Sequence, residues 1–71
     1  MPVISVNMTS PMPPKEKLDK VAAQITEIFV RELNKAPQRV VISFNEIPAS
    51  DFYFGGKSVQ SIKEREQNER V

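Results

Sequence analysis

Two stretches of this chain alternate with period two, and the stretch between them repeats with the period of a helix. In residues 2–8, Ile4, Val6 and Met8 share one face while Val3, Ser5 and Asn7 share the other, the pattern of a strand. In residues 39–47, Val40, Ile42 and Phe44 alternate with Val41, Ser43 and Asn45 in the same way. From about Pro14 to Asn34, Leu18, Val21, Ile25, Ile28, Phe29 and Leu33 recur at steps of three and four, which predicts an amphipathic helix. Lys17, Lys20, Gln24, Glu27 and Arg31 fall largely off that stripe and read as its solvated side. Strand, long helix, strand is a β-α-β unit, so the strands are expected parallel and the crossover right-handed.

Such a unit has a sheet of two strands, with two unpaired edges and one face that its own helix cannot cover. Edges and faces of that kind aggregate unless something pairs with them. The chain has 71 residues, too few to bury a large share of its surface, and it contains no cysteine and no histidine. Disulfides are therefore excluded and the side chains that dominate zinc sites are missing, which leaves association with other subunits as the expected source of stability. No metal and no cofactor are expected. The formal net charge of +1, with acids and bases intermixed, argues against nucleic acid as a partner. No apolar run is long enough to span a bilayer and the N-terminus has no signal-peptide pattern, so no membrane is expected as a partner and the cytoplasm is the expected location.

The connections follow from their prolines and glycines. Thr9-Ser10-Pro11-Met12-Pro13-Pro14 is a stiff link, and Pro13 or Pro14 suits the first turn of the helix. Pro37 pushes Ala36 toward extended geometry, so Asn34-Lys35-Ala36-Pro37 ends the helix. After the second strand, three consecutive aromatics, Phe52, Tyr53 and Phe54, run into Gly55-Gly56, the only glycines of the chain and a place for a tight reversal. Exposed aromatics in a chain that must associate point to an interface. Residues 58–71 are rich in Glu, Arg, Lys and Gln and read as a short exposed helix or a frayed tail, with 62–71 as a charged C-terminal tail to a single domain spanning 1–71.

Pro2 directly follows Met1, and a small second residue normally allows removal of the initiator methionine, leaving a free secondary amine at the start of a strand. Pro2, the strand-helix-strand order, the run Val40-Val41-Ile42-Ser43-Phe44-Asn45-Glu46-Ile47-Pro48, then Phe52 and Gly55-Gly56, together resemble the 4-oxalocrotonate tautomerase family over Pro2 to about Val59. The resemblance implies an α/β (α+β) fold of tautomerase/MIF-like type, a single β-α-β unit with two parallel strands, a long crossover helix and a C-terminal hairpin or tail. It also implies assembly as a homohexamer, a trimer of dimers, and a cofactor-independent keto-enol tautomerase in which the N-terminal proline is the base. The chemistry of the residue agrees. An α-amino group ordinarily titrates near roughly 7.7 to 8.0, and apolar surroundings lower that value, so the amine is partly neutral at the pH where it must accept and return a proton.

The sequence departs from the family where two arginines hold a diacid substrate. The arginine of the loop after the first strand is replaced by Met12 or Pro13, and that of the second strand by Val41. Arg39, two residues before Val41, is a partial replacement if it lies on the same face of the strand. Lys15 and Lys35 read as surface charges. Phe52 corresponds to the aromatic that shields the proline, and Tyr53 and Phe54 make that loop more aromatic than in some relatives. The expected substrate-binding residues are thus Arg39, Phe52, Val41 and Met12 around the catalytic Pro2. The expected substrate is a small monoacid or weakly charged carbonyl compound, such as an arylpyruvate enol, rather than the dicarboxylate 2-hydroxymuconate. Two alternatives stand beside this: a non-catalytic or partner-dependent subunit of a similar oligomer, and a hydratase or dehalogenase using a protonated proline. The latter also needs a water-activating carboxylate, and no acid in the N-terminal loop offers one.

Overall fold

A computed structural model describes residues 1–69. Strand β1 (Val3–Thr9) leads into helix α1 (Lys15–Leu33), and a short 3-10 turn at Pro37–Arg39 precedes strand β2 (Val41–Ile47). A second 3-10 turn at Ala49–Asp51 is followed by the two-residue strands β3 (Tyr53–Phe54) and β4 (Lys57–Ser58), and then by helix α2 (Val59–Glu69). β1 and β2 are parallel, with Val3 opposite Val41, Ser5 opposite Ser43, Asn7 opposite Asn45 and Thr9 opposite Ile47. β3 and β4 form an antiparallel hairpin that reverses through Gly55 (φ 56°) and Gly56 (φ 84°), left-handed positions that glycine adopts without strain.

Alternation along the strands sorts their side chains. Ile4, Val6, Met8, Ile42 and Phe44 are half-buried, as are Leu18, Ala22, Ile25, Phe29 and Val30 of α1, and these two sets form the apolar layer between helix and sheet. The other face of the sheet carries exposed Val3, Ser5, Asn7, Val41, Ser43 and Asn45, where the Asn45 amide donates to Ser5 Oγ at 2.9 Å. No described residue is fully buried. The chain measures 51 × 25 × 17 Å with a radius of gyration of 16.5 Å. A compact chain of this length would have a radius of about 11 Å. The single chain is an elongated body whose apolar layer is only half covered.

α1 begins without a side-chain cap, the Pro14 carbonyl accepting from the Lys17 and Leu18 amides at 3.0 and 3.2 Å. It ends because Asn34 turns left-handed (φ 54°, ψ 42°), with Lys35 N–H donating back to the Phe29 carbonyl at 3.4 Å. Ala36 is extended, as Pro37 requires. Pro37 also starts a turn of its own, in which Arg39 N–H donates to the Ala36 carbonyl at 2.9 Å and Val40 N–H to the Pro37 carbonyl at 3.3 Å. Those bonds occupy the backbone of Arg39 before the ladder starts. The second strand therefore opens at Val41 and not at Arg39, and the alternation that would align Arg39 with Val41 does not reach it.

The expected charged tail is helical through Glu69, with residues 70–71 outside the described residues. Ser58 ends β4 and caps this helix, its Oγ accepting from Ser61 N–H at 3.1 Å. No helix among the described residues is long and apolar enough to cross a membrane.

Candidate active site

Pro2 sits one residue before β1, and its carbonyl accepts the Val41 amide at 3.0 Å. That bond continues the β1–β2 ladder to the N-terminal end of the sheet and holds the proline ring beside the start of β2. Pro2 and Val40 are half-buried, while Val3 and Val41, directly opposite each other, are 69% and 41% exposed. The open face beside Pro2 is thus apolar, and it includes Val41, the strand position where the family resemblance expects an arginine. Arg39 stands at the same end of the sheet, exposed on its 3-10 turn, and has no ion pair among the described residues.

A different group gathers at the other end of the strands. Ser10 N–H donates to the Ile47 carbonyl at 3.1 Å and Ser10 Oγ to Glu46 Oε2 at 2.7 Å, closing the loop after β1 onto the end of β2. Met12 is half-buried in that loop. Phe52 follows the 3-10 turn after β2; its ring centre is 6.1 Å from that of Phe54, and its carbonyl accepts the Val59 amide at 2.6 Å. Phe52 is half-buried, whereas Tyr53 and Phe54 are 61% and 63% exposed. Beyond the hairpin, Lys57, Ser61, Ile62, Arg65 and Glu66 line an open groove of about 650 Å³.

Chain geometry keeps the two groups apart. From Ile47 to the level of Pro2 is about seven strand rises, roughly 23 Å, while the link from Ile47 to Phe52, tightened by a 3-10 turn, spans at most about 13 Å. The structure brings Pro2, Val41 and Arg39 to one end of the sheet, and Met12 and Phe52 to the other. Phe52 thus enters from the end of β2 remote from Pro2, with at least about 10 Å between their backbone levels along the strand direction. Two further features were missed in the sequence. Glu46 was noted only as a family-like position, and its tie to Ser10 depends on the parallel register. The groove is not visible in the sequence, which leaves residues 58–71 as a short exposed helix or a frayed tail, although Ser58 followed by Val59 and Ile62 is the pattern of a capped helix with one apolar edge.

The fold has counterparts in known proteins. The model of the Tautomerase enzyme family matches residues 2–62. A probable tautomerase of Campylobacter jejuni is 35% identical over 63 residues, covering 89% of this chain and 93% of the relative. A solved 4-oxalocrotonate tautomerase isozyme from Methylibium petroleiphilum superposes with a TM-score of 0.83 at 28% identity, over 90% of this chain and 98% of its own. A heterohexameric 4-oxalocrotonate tautomerase from Chloroflexus aurantiacus shares the fold at 16% identity, with a TM-score of 0.77 over 87% of this chain and 98% of its own. Matched along its length by the family model and by a relative more than 30% identical, this chain belongs to the tautomerase family.

Proposed function

We propose that this protein is a cofactor-independent keto-enol tautomerase whose base is the secondary amine of Pro2, freed by removal of Met1. The observation that carries this is the position of Pro2, half-buried at the start of the parallel ladder, pinned by the Val41 amide and flanked by Val3, Val40 and Val41. The neutral amine takes the enol O–H proton. The prolinium then returns a proton to the carbon of the former C=C as the C=O forms, so the product is an isomer and no co-reactant is consumed. Apolar neighbours favour the neutral amine over its protonated form, and the partly neutral base works near its operating pH.

A complete site takes more than one copy. Antiparallel pairing of two sheets lays the Pro2 end of one chain beside the Met12 and Phe52 end of the other, twice over by symmetry. Such pairing also covers a sheet edge, and stacking of dimers on the open face, as in a homohexameric trimer of dimers, supplies the burial that the single chain lacks. Val41 at one family arginine position and Met12 or Pro13 at the other leave the site apolar, which favours a small monoacid over a dicarboxylate, with Arg39 at the rim. The same substitutions favour, as the second reading, a subunit that works only with a different partner chain, for which the heterohexamer from Chloroflexus aurantiacus is a precedent.

Ketonisation of phenylenolpyruvate and of 2-hydroxymuconate, followed by absorbance with Met1 confirmed absent by mass spectrometry, tests this. Turnover of phenylenolpyruvate should exceed that of the diacid, and Pro2→Ala should lower it by at least about a hundredfold. No turnover of either substrate by the assembled protein would leave the partner-dependent reading.

A further inference from the structure

A pocket wall made of one ring works only if the angle of that ring is fixed. We propose that Phe54 is the positioning residue for Phe52, and that the ring it holds makes the site select a substrate with an aromatic body over a saturated one of the same size. This rests on the tautomerase function proposed above and narrows the substrate class of that same site.

Three observations support the assignment. The first is the contact itself. The ring centres of Phe52 and Phe54 are 6.1 Å apart and their planes are inclined at 55°. Aromatic pairs favour tilted arrangements with centres about 4.5 to 7 Å apart over flat stacking, because the positive edge of one ring meets the negative face of the other. Phe54 therefore restrains the tilt of Phe52 as well as its position.

The second is the backbone that carries the pair. Phe52 is extended (φ -111°, ψ 124°), so Phe52 and Phe54 project to one side of the chain and Tyr53 to the other. Tyr53 pairs with Ser58 and Phe54 with Lys57, and the reversal between them runs through left-handed Gly55 and Gly56. The Val59 amide donates to the Phe52 carbonyl at 2.6 Å, which closes the same hairpin one step further out. Phe52 thus sits at the open end of a short ladder and Phe54 at its turn, and the ladder sets the separation of the two rings.

The third is exposure. Phe52 is half-buried, whereas Phe54 stays largely exposed, so Phe54 adds little to the burial of its own arm and its contact with Phe52 is what distinguishes it. Tyr53 is as exposed on the opposite side and makes no such ring contact among the described residues. The consequence for a substrate follows from the ring quadrupole. An aromatic body resting on Phe52 gains an attraction that depends on the angle between the rings, while a saturated body gains only from the apolar area it covers. Fixing the angle of Phe52 therefore favours the aromatic body.

Two measurements test this. The first is steady-state kinetics on phenylenolpyruvate and on the enol of 3-cyclohexylpyruvate, its saturated counterpart. Phe54→Leu should raise KM for the aromatic substrate about two- to tenfold with kcat nearly constant and the saturated substrate unaffected. Phe54→Tyr should keep the wild-type preference, and so should Tyr53→Leu. Because Phe54 acts through Phe52, the double variant Phe52→Leu with Phe54→Leu should lose no more of the preference than Phe52→Leu alone. An unchanged KM for phenylenolpyruvate in Phe54→Leu, or additive losses in the double variant, would overturn the proposal. Equal losses on both substrates with a smaller oligomer in native mass spectra would also overturn it, by making Phe54 a subunit contact. The second measurement needs no turnover: 3-phenylpropanoate and 3-cyclohexylpropanoate are titrated into the wild-type and Phe54→Leu oligomers and followed by amide NMR shifts. Saturable shifts at residues 52–54, stronger for the aromatic acid in wild type and equal for both acids in Phe54→Leu, support the ring pair, and their absence overturns it. If no substrate is turned over but those shifts appear, the tautomerase reading fails and the aromatic wall stands.

Discussion

In the β1–α1–β2 unit, two seven-residue strands pair along their whole length and a nineteen-residue helix joins them, with Ile4, Val6, Ile42 and Phe44 of the strands and Leu18, Ile25 and Phe29 of the helix half-buried. The arm from Pro48 onward has two strands of two residues, one capped helix, and two aromatics, Tyr53 and Phe54, that stay largely exposed although Phe54 lies against Phe52. One region owes its shape to its own ladder and apolar layer; the other keeps its local geometry through a few backbone bonds and waits for a neighbour. The proposed chemistry is divided in the same way. Pro2 belongs to the firm unit, whereas Phe52 and Phe54 belong to the arm. A proton-transfer base needs positioning to a fraction of an ångström, which a ladder provides. A pocket wall can be brought by a partner after assembly.

The strongest way to break this division is to mix two defective chains. Oligomers of Pro2→Ala lack the base and those of Phe52→Ala lack the wall. If each site takes Pro2 from one copy and Phe52 from another, co-refolding equal amounts should restore activity to about a quarter of wild type, because half the pairs are mixed and each has one intact site. A site complete within one chain would give only the average of the two separate variants. Size-exclusion and native mass spectra of the mixture confirm that exchange occurred.

A smaller but measurable effect concerns stability. With no described residue fully buried, folding should be coupled to assembly, so the urea midpoint should rise with protein concentration. A hundredfold dilution should lower it visibly, and a midpoint independent of concentration would mean that the β1–α1–β2 unit is stable alone.

The smallest effects sharpen the contrast between the regions. Asn34→Ala places a side chain that disfavours left-handed backbone at the end of α1, and should cost about 1 kcal/mol of global stability in urea melts. Gly55→Ala meets no atom within 4 Å of the new Cβ, so its cost is purely backbone strain, also about 1 kcal/mol. It falls on the arm, so it should weaken turnover and hairpin protection in hydrogen exchange more than it lowers the global midpoint.

Much of this molecule was legible because the relevant signals are local. Val3 to Met8 and Val41 to Phe44 show their period directly, and the helix between them forces the strands parallel. Gly55-Gly56 announced the reversal, and Pro37 the extended Ala36. Arg39 was misplaced because strand alternation extends onto any polar residue at a run's edge, and only the 3-10 bonds from Arg39 and Val40 show where the ladder stops. α2 was read as a choice between helix and tail because its apolar residues, Val59 and Ile62, are too few for a clear stripe, and its Ser58 cap is a single residue.

By itself the sequence determined the β-α-β order and the turns that bound it, and it supplied the grounds for proposing subunit assembly and a role for Pro2, since periodicity, missing cysteines and a terminal amine are properties of short segments or of composition. Only the tertiary structure decided that Pro2 and Val41 share one end of the sheet while Met12 and Phe52 share the other, and that Lys57, Ser61 and Arg65 line one groove. Those relations depend on the parallel direction of the strands and the short reach of the link after β2. A residue's neighbours along the chain do not encode the distance between two ends of a sheet.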